Sequence, residues 1–107
     1  MARPRCVCGC GARGVHEHHV IYQQELRRAA RRLGVPASRL LRDARGLVPM
    51  AVACHAAHHD RSRPLPLHVL PDEAFEFAAE VLGAGPAQVY LARRYAGGDG
   101  RLDALGE

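Results

Sequence analysis

The order of apolar and polar positions divides this chain into short elements separated by glycine and proline. Residues 6–14, CVCGCGARG, carry too much Gly and Cys for regular structure and read as a knuckle, behind a basic lead over residues 1–5. Val15 to Ile21 is the first strand candidate, with β-branched Val15, Val20 and Ile21 flanking polar His and Glu. From Tyr22 to Leu33 the period lengthens to that of a helix. Leu26, Ala29, Ala30 and Leu33 form its apolar stripe, Arg27, Arg28, Arg31 and Arg32 occupy the remaining surface, and Gly34 stops it. Ser38 is placed to cap a short turn through Leu40 and Leu41 that ends near Asp43.

Leu47 to Met50 reads as a second short strand, limited by Pro49 to an edge or an early exit. A helix of small residues, Ala51 to His59, follows and ends around Asp60. Arg61 to Leu70, broken by Pro64 and Pro66, is an extended connector. Asp72 starts a helix with Phe75, Ala78, Ala79 and Leu82 on its apolar side and Gly83 past its end. Pro86 opens another, to about Tyr95, before Gly97 and Gly98 release a loosely held tail. No internal repeat interrupts this order.

These elements mix strands and helices, so the expected class is α+β. A length of 107 residues fits one domain, 1–107, near the lower size at which an apolar core suffices. With no Trp, two Phe and three Tyr, that core has to come from Leu, Val and Ala, and a bound metal would supplement it. No apolar run reaches membrane-spanning length, and the basic start lacks an apolar region behind it. A soluble cytoplasmic protein without a membrane partner is therefore expected.

The formal charge is +4, and all fifteen cationic side chains are Arg. Arg forks onto phosphate oxygens, which suits a nucleic-acid partner. Codon bias toward Ala, Arg, Gly and Pro accounts for the same balance, so both readings stand. Four cysteines without an export signal (Cys6, Cys8, Cys10 and Cys54) favour metal binding over disulfides.

The histidines change the picture further. Of seven in the chain, six fall in two clusters, 16–19 and 55–59. His55 and His59 stand one turn apart on one helix face and can offer two nitrogens to one ion. His18 would supply a third ligand, leaving His19 beside it. His58 competes with His59 for that place, since three residues apart also brings side chains together. Phosphodiester hydrolysis needs an activated water and stabilised negative charge, work that an imidazole base and a divalent cation can share. Imidazole titrates close to neutral pH, which makes His19 the candidate base. Neighbours in a strand point to opposite faces, so for His18 and His19 to serve one site the strand must end or twist there, or one ring must reach round.

Taken together, a Cys knuckle, a His-His-Val strand and a Leu-Val-Pro strand leading into Cys-His-x-x-x-His resemble the HNH nucleases, in particular the small HNH proteins of phage genomes. The resemblance covers roughly residues 6–60, and residues 61–96 look like the helical extension that follows the core in those proteins. It implies a ββα-metal (His-Me finger) core with added helices between its strands and after them. It also implies a metal-dependent DNA endonuclease with His19 as general base and His18, His55 and His59 holding a divalent ion (Mg, Mn, Ni or Zn). DNA is the implied partner, gripped by Arg27, Arg28, Arg31, Arg45 and Arg61, and a phage terminase is a further one through genome packaging.

Two departures from the family pattern stand out. Gly46 occupies the position of the family's Asn, which would brace the loop and orient the base. Arg45 or Asp43 is a candidate substitute, and restoring Asn there is expected to raise the rate. Ala51 stands where a second Cys-x-x-Cys pair would begin. Cys6, Cys8, Cys10 and Cys54 restore a count of four, enough for one structural zinc if Gly9 and Gly11 let the early sulfurs converge. The alternatives are a decayed knuckle held by packing alone, and a protein that keeps zinc and DNA affinity but no longer cuts. A third reading is an adaptor whose carboxy-terminal helices dock a partner.

Overall fold

The polar segment His16–His19 (β1) pairs antiparallel with the largely apolar Leu47–Met50 (β2), in a register that sets His18 opposite Val48 and His19 opposite Leu47. These features come from a computed structural model that describes residues 5–13 and 16–97. The readings of residues 1–4, of Val15 as the first strand residue, and of the tail from Gly98 onward lie outside the described residues. Pro49 sits opposite Glu17, where its missing N–H costs a two-stranded sheet nothing, and its carbonyl accepts from Val7 at 2.8 Å. That bond fastens the knuckle to β2. β1 is shorter than the strand expected from the sequence, because Val20 and Ile21 leave the ladder and are fully buried in the core.

Between the strands run two helices, Gln23–Leu33 (α1) and Ala37–Leu41 (α2), then a single 3-10 turn at Ala44–Gly46. Gly34 ends α1 in the left-handed conformation, φ 72°. Leu26, Ala29 and Ala30 are buried as the stripe predicts, but Leu33, at the end of the helix, stays 48% exposed. α2 begins one residue before the expected cap. Pro36 stands at its N-cap and Ser38 lies inside it, with no side-chain cap.

Val52–His59 (α3) follows β2 directly and packs against β1. The connector then makes a 3-10 turn at Leu67–Val69 and bonds to the far end of the chain. Leu67 donates to the Ala96 carbonyl at 2.9 Å, and Ala96 to that of Leu65 at 3.0 Å. Asp72–Leu82 (α4) and Ala84–Arg94 (α5) pack on each other, and α4 also reaches α1 and the turn at Ala44–Gly46. Being covered from these sides, α4 buries Ala74, Phe75, Phe77, Ala78 and Val81, while Ala79 and Leu82 are only half-buried. The sequence stripe had favoured that second pair; packing against the turn at Gly46 rolls the helix toward Phe77.

The architecture is α+β, with one apolar cluster running from Cys6 through Val20, Ile21 and Met50 to Phe77, Leu91 and Tyr95. Among the described residues no helix is long and apolar enough to cross a membrane.

Candidate metal centres

Four cysteines meet beside the start of α3. Gly9 and Gly11 adopt φ of 83° and 86°, a region open to glycine at little cost, and so fold the knuckle tightly. Cys6 donates its N–H to the Ala12 carbonyl at 2.7 Å and Gly9 to that of Cys6 at 3.1 Å. The sulfurs converge: Cys6 to Cys8 is 3.2 Å, Cys8 to Cys54 is 3.5 Å and Cys10 to Cys54 is 3.7 Å. All four cysteines are free thiols, and their sulfurs lie within 4.8 Å of one another. Tetrahedral thiolates on bonds of about 2.3 Å stand about 3.8 Å apart, so the set needs only slight expansion to hold one ion.

Electrostatics argue the same way. Burial, reinforced by the Cys6 and Cys10 contacts, pushes the Cys8 thiol up to about 12, and burial raises Cys54 too. Cys10 alone is drawn down, to about 7, chiefly by the Ala12 backbone N–H. Four crowded sulfurs cannot all ionise unless a cation shares their charge. The guanidinium of Arg63 donates to Cys54 Sγ at 3.5 Å and offers further positive charge.

A second cluster lies around the next residue of α3. β1 ends at His19, which resolves the strand-alternation problem. His18 turns inward onto α3, and both His18 and His19 line one cleft of about 230 Å³ with Glu17, Tyr22, Gln23, His55 and His59. The candidate ligand atoms of His18, His55 and His59 lie within 4.8 Å of one another, and His55 Nε2 and His59 Nε2 are 2.9 Å apart. A cation with bonds of about 2.1 Å spans its ligands by at most about 4.2 Å, so a modest closure suffices.

The rings are held in particular orientations. His18 Nε2 lies 2.8 Å from the Tyr95 hydroxyl, which itself donates to the Val20 carbonyl at 2.6 Å. His18 Nδ1 is buried with no hydrogen-bond partner, the one such side-chain atom among the described residues. Leaving a buried lone pair unmatched costs about 1–3 kcal/mol, and a cation would remove that cost. His55 Nδ1 meets His16 Nδ1 at 3.2 Å, leaving its Nε2 toward His59. Burial pushes the His18 imidazole down to about 2, helped by His58, His55, His59 and His19, and lowers His55 as well. Neutral rings are the form that binds a metal.

His58 and His59 take different roles. His58 is 2% exposed; its Nδ1 accepts from the Leu65 N–H at 2.9 Å, so its Nε2 carries the proton and donates to Tyr22 Oη at 3.3 Å. The connector thus engages Nδ1 and Tyr22 engages Nε2, and His59 is left to the cleft.

His19 Nε2 donates to the Leu41 carbonyl at 3.1 Å, which leaves Nδ1 with the lone pair of the neutral ring. A backbone carbonyl thus orients this ring, and neither Asp43 nor Arg45 does so. Those two bond to each other, and Arg45 also pairs with Glu80. Gly46 has no room for an Asn side chain, since a Cβ would meet the ring of the buried Phe77. Its carbonyl instead accepts from Val20 at 2.9 Å, bracing the strand end through the backbone.

The expected phosphate-binding arginines divide. Arg28 pairs with Glu25 at 3.0 Å, Arg45 is engaged as described, and Arg61 donates to the Arg93 carbonyl at 2.9 Å. Arg27 and Arg31 are exposed and follow Gln23, which lines the cleft, at successive four-residue steps along α1. The sequence reading missed Arg94, whose guanidinium carbon lies 4.5 Å from the ring centre of Tyr22 and 5.3 Å from that of Tyr90. Tyr95 and His16 were likewise missed as neighbours of the ligand rings. A lone Tyr at a helix end carries no local signal, and His16 was one more His in a cluster.

Compared with protein-family models, with curated proteins and with solved structures, the chain matches none.

Proposed function

We propose that this chain is a metal-dependent DNA endonuclease of HNH type, with β1, β2 and α3 as a ββα-metal core and the remaining helices as its support. The observation that carries the reading is the convergence of His18, His55 and His59 in one cleft with His19. When bound there, a divalent cation would stabilise the charge that develops on the phosphorane and on the leaving oxygen.

The chain's own residues supply the rest. His19, held at Nε2 by the Leu41 carbonyl, presents Nδ1 to accept a proton from the attacking water. Arg94, stacked on Tyr22 at the cleft, and the exposed Arg27 and Arg31 along α1 grip the phosphodiester backbone. Phosphate grip without base reading gives little sequence preference and a steep dependence on salt. The Cys quartet, which does not line the cleft, is read as a structural zinc site that ties the knuckle to α3.

A second reading is favoured by Gly46: a descendant that retains metal and DNA affinity but turns over slowly or not at all. Nicking of supercoiled plasmid in magnesium, manganese or nickel, run beside His19→Ala, separates the two. The nuclease reading expects nicking that the substitution reduces about 10²–10⁴-fold. Nicking indifferent to His19 would sink the mechanism, and DNA binding without cleavage in every metal would establish the second reading.

A further inference from the structure

We infer that Tyr95 is a positioning residue that fixes the tautomer of His18, and that through it docking of the chain beyond α5 is linked to cation binding. The inference rests on the reading of His18, His55 and His59 as a metal site.

The argument is one of proton counting. A phenol has a single proton, and the Val20 carbonyl, 2.6 Å from Tyr95 Oη, has none to give; the phenolic proton therefore points at Val20. His18 Nε2 lies 2.8 Å from the same oxygen, so it must be the donor. A neutral imidazole carries one N–H, which leaves Nδ1 bare, and Nδ1 is the buried atom without a partner. The opposite tautomer would set a nitrogen lone pair against the phenol oxygen and put a proton where a cation must bind. At 1% and 4% exposure, His18 and Tyr95 have no bulk water to relieve that clash.

Tyr95 does not act as an isolated ring. The next residue, Ala96, donates to the Leu65 carbonyl and accepts from Leu67, while Leu65 donates to His58 Nδ1. The strap formed by 65–67 and 95–96 thus touches both ligand-bearing elements, β1 through His18 and α3 through His58. A cation that selects bare Nδ1 favours the docked strap, and by reciprocity the docked strap favours the cation.

The test uses the full chain with its thiols preloaded with zinc, so that added nickel reports on the imidazoles. Nitrogen NMR of the imidazole rings before nickel should show His18 protonated at Nε2 in the wild type and shifted toward the Nδ1–H form in Tyr95→Phe. Calorimetry should show nickel binding weakened about 10–100-fold in the variant. If Tyr95→Phe fails to fold, the wild type alone decides: nickel should slow hydrogen exchange at the Leu67 and Ala96 amides. A proton found on His18 Nδ1 in the wild type, a Tyr95→Phe protein with unchanged affinity, or unchanged exchange on loading each overturns the inference. A wild type that holds the Nε2–H form yet takes up no nickel overturns the metal-site reading, and the linkage with it.

Discussion

Phe77 packs directly against Gly46: a Cβ on that glycine would stand 2.5 Å from Cε2 and 2.8 Å from Cδ2 of the ring. Gly46 is not among the residues with positive φ, so space and not backbone strain excludes a side chain. Phe77 is 1% exposed and has nowhere to retreat. Gly46→Asn therefore should not supply a side-chain brace for His19. It should lower stability by about 1–3 kcal/mol or more through overpacking, seen as a reduced urea midpoint. Adding Phe77→Leu should recover part of the loss. A Gly46→Asn protein as stable as the wild type would show that the ring yields.

His58 and His18 make the metal-free protein acid-sensitive. Burial pushes His58 down to about 4 and His18 to about 2, from an ordinary value of 6.5. As pH falls below 6.5 the unfolded chain takes up protons that the folded chain refuses. Stability is thus complete above 6.5 and declines toward 4 for His58 and further for His18. The apo Tm is expected to drop roughly 5–10 °C from pH 7 to pH 5. A flat profile across that window would contradict the buried neutral rings.

The two adjacent histidines of α3 should separate cleanly. His58→Ala strands the Leu65 N–H and should cost about 1–3 kcal/mol of stability. Its Leu65 and Tyr22 contacts, not a metal ligand, are what it removes. His59→Ala removes an exposed ring that meets His55 Nε2, so nickel affinity should fall while the apo Tm holds. Calorimetry beside thermal melts would read both; the reverse pattern would exchange their assignments.

The thiol cluster should carry metal of its own. Purified protein is expected to contain about one tightly held zinc per chain, and chelation should lower Tm by roughly 10 °C or more. Cys8→Ser, which removes the sulfur between Cys6 and Cys54, should lose the zinc and reproduce that loss. Elemental analysis showing no zinc, with melting unchanged by chelator, would reduce the knuckle to ordinary packing.

Much of this was legible in the chain because the signals were local. The four-residue step from His55 to His59 fixes a shared helix face, and the φ needed at Gly9 and Gly11 is what glycine readily supplies. Helix bounds from Asp72 to Leu82 agree with proline, acidic and glycine punctuation. What escaped depends on partners far apart in sequence. Which of His58 and His59 faces the cleft is decided by Leu65, the tautomer of His18 by Tyr95, and the vacancy at position 46 by Phe77. Periodicity gives the face of α4 but not its roll, since the turn at Ala44–Gly46 selects Phe77 over Leu82.

Cys54 and His55 are consecutive residues of α3, one turned to sulfur and the next to nitrogen. Two turns of helix therefore serve as a common beam between a soft, sulfur-lined anchorage and a nitrogen-lined one. Any lesion that lets the anchorage slip, such as oxidation of an exposed knuckle sulfur, will be felt one residue later in the geometry of the imidazole cluster.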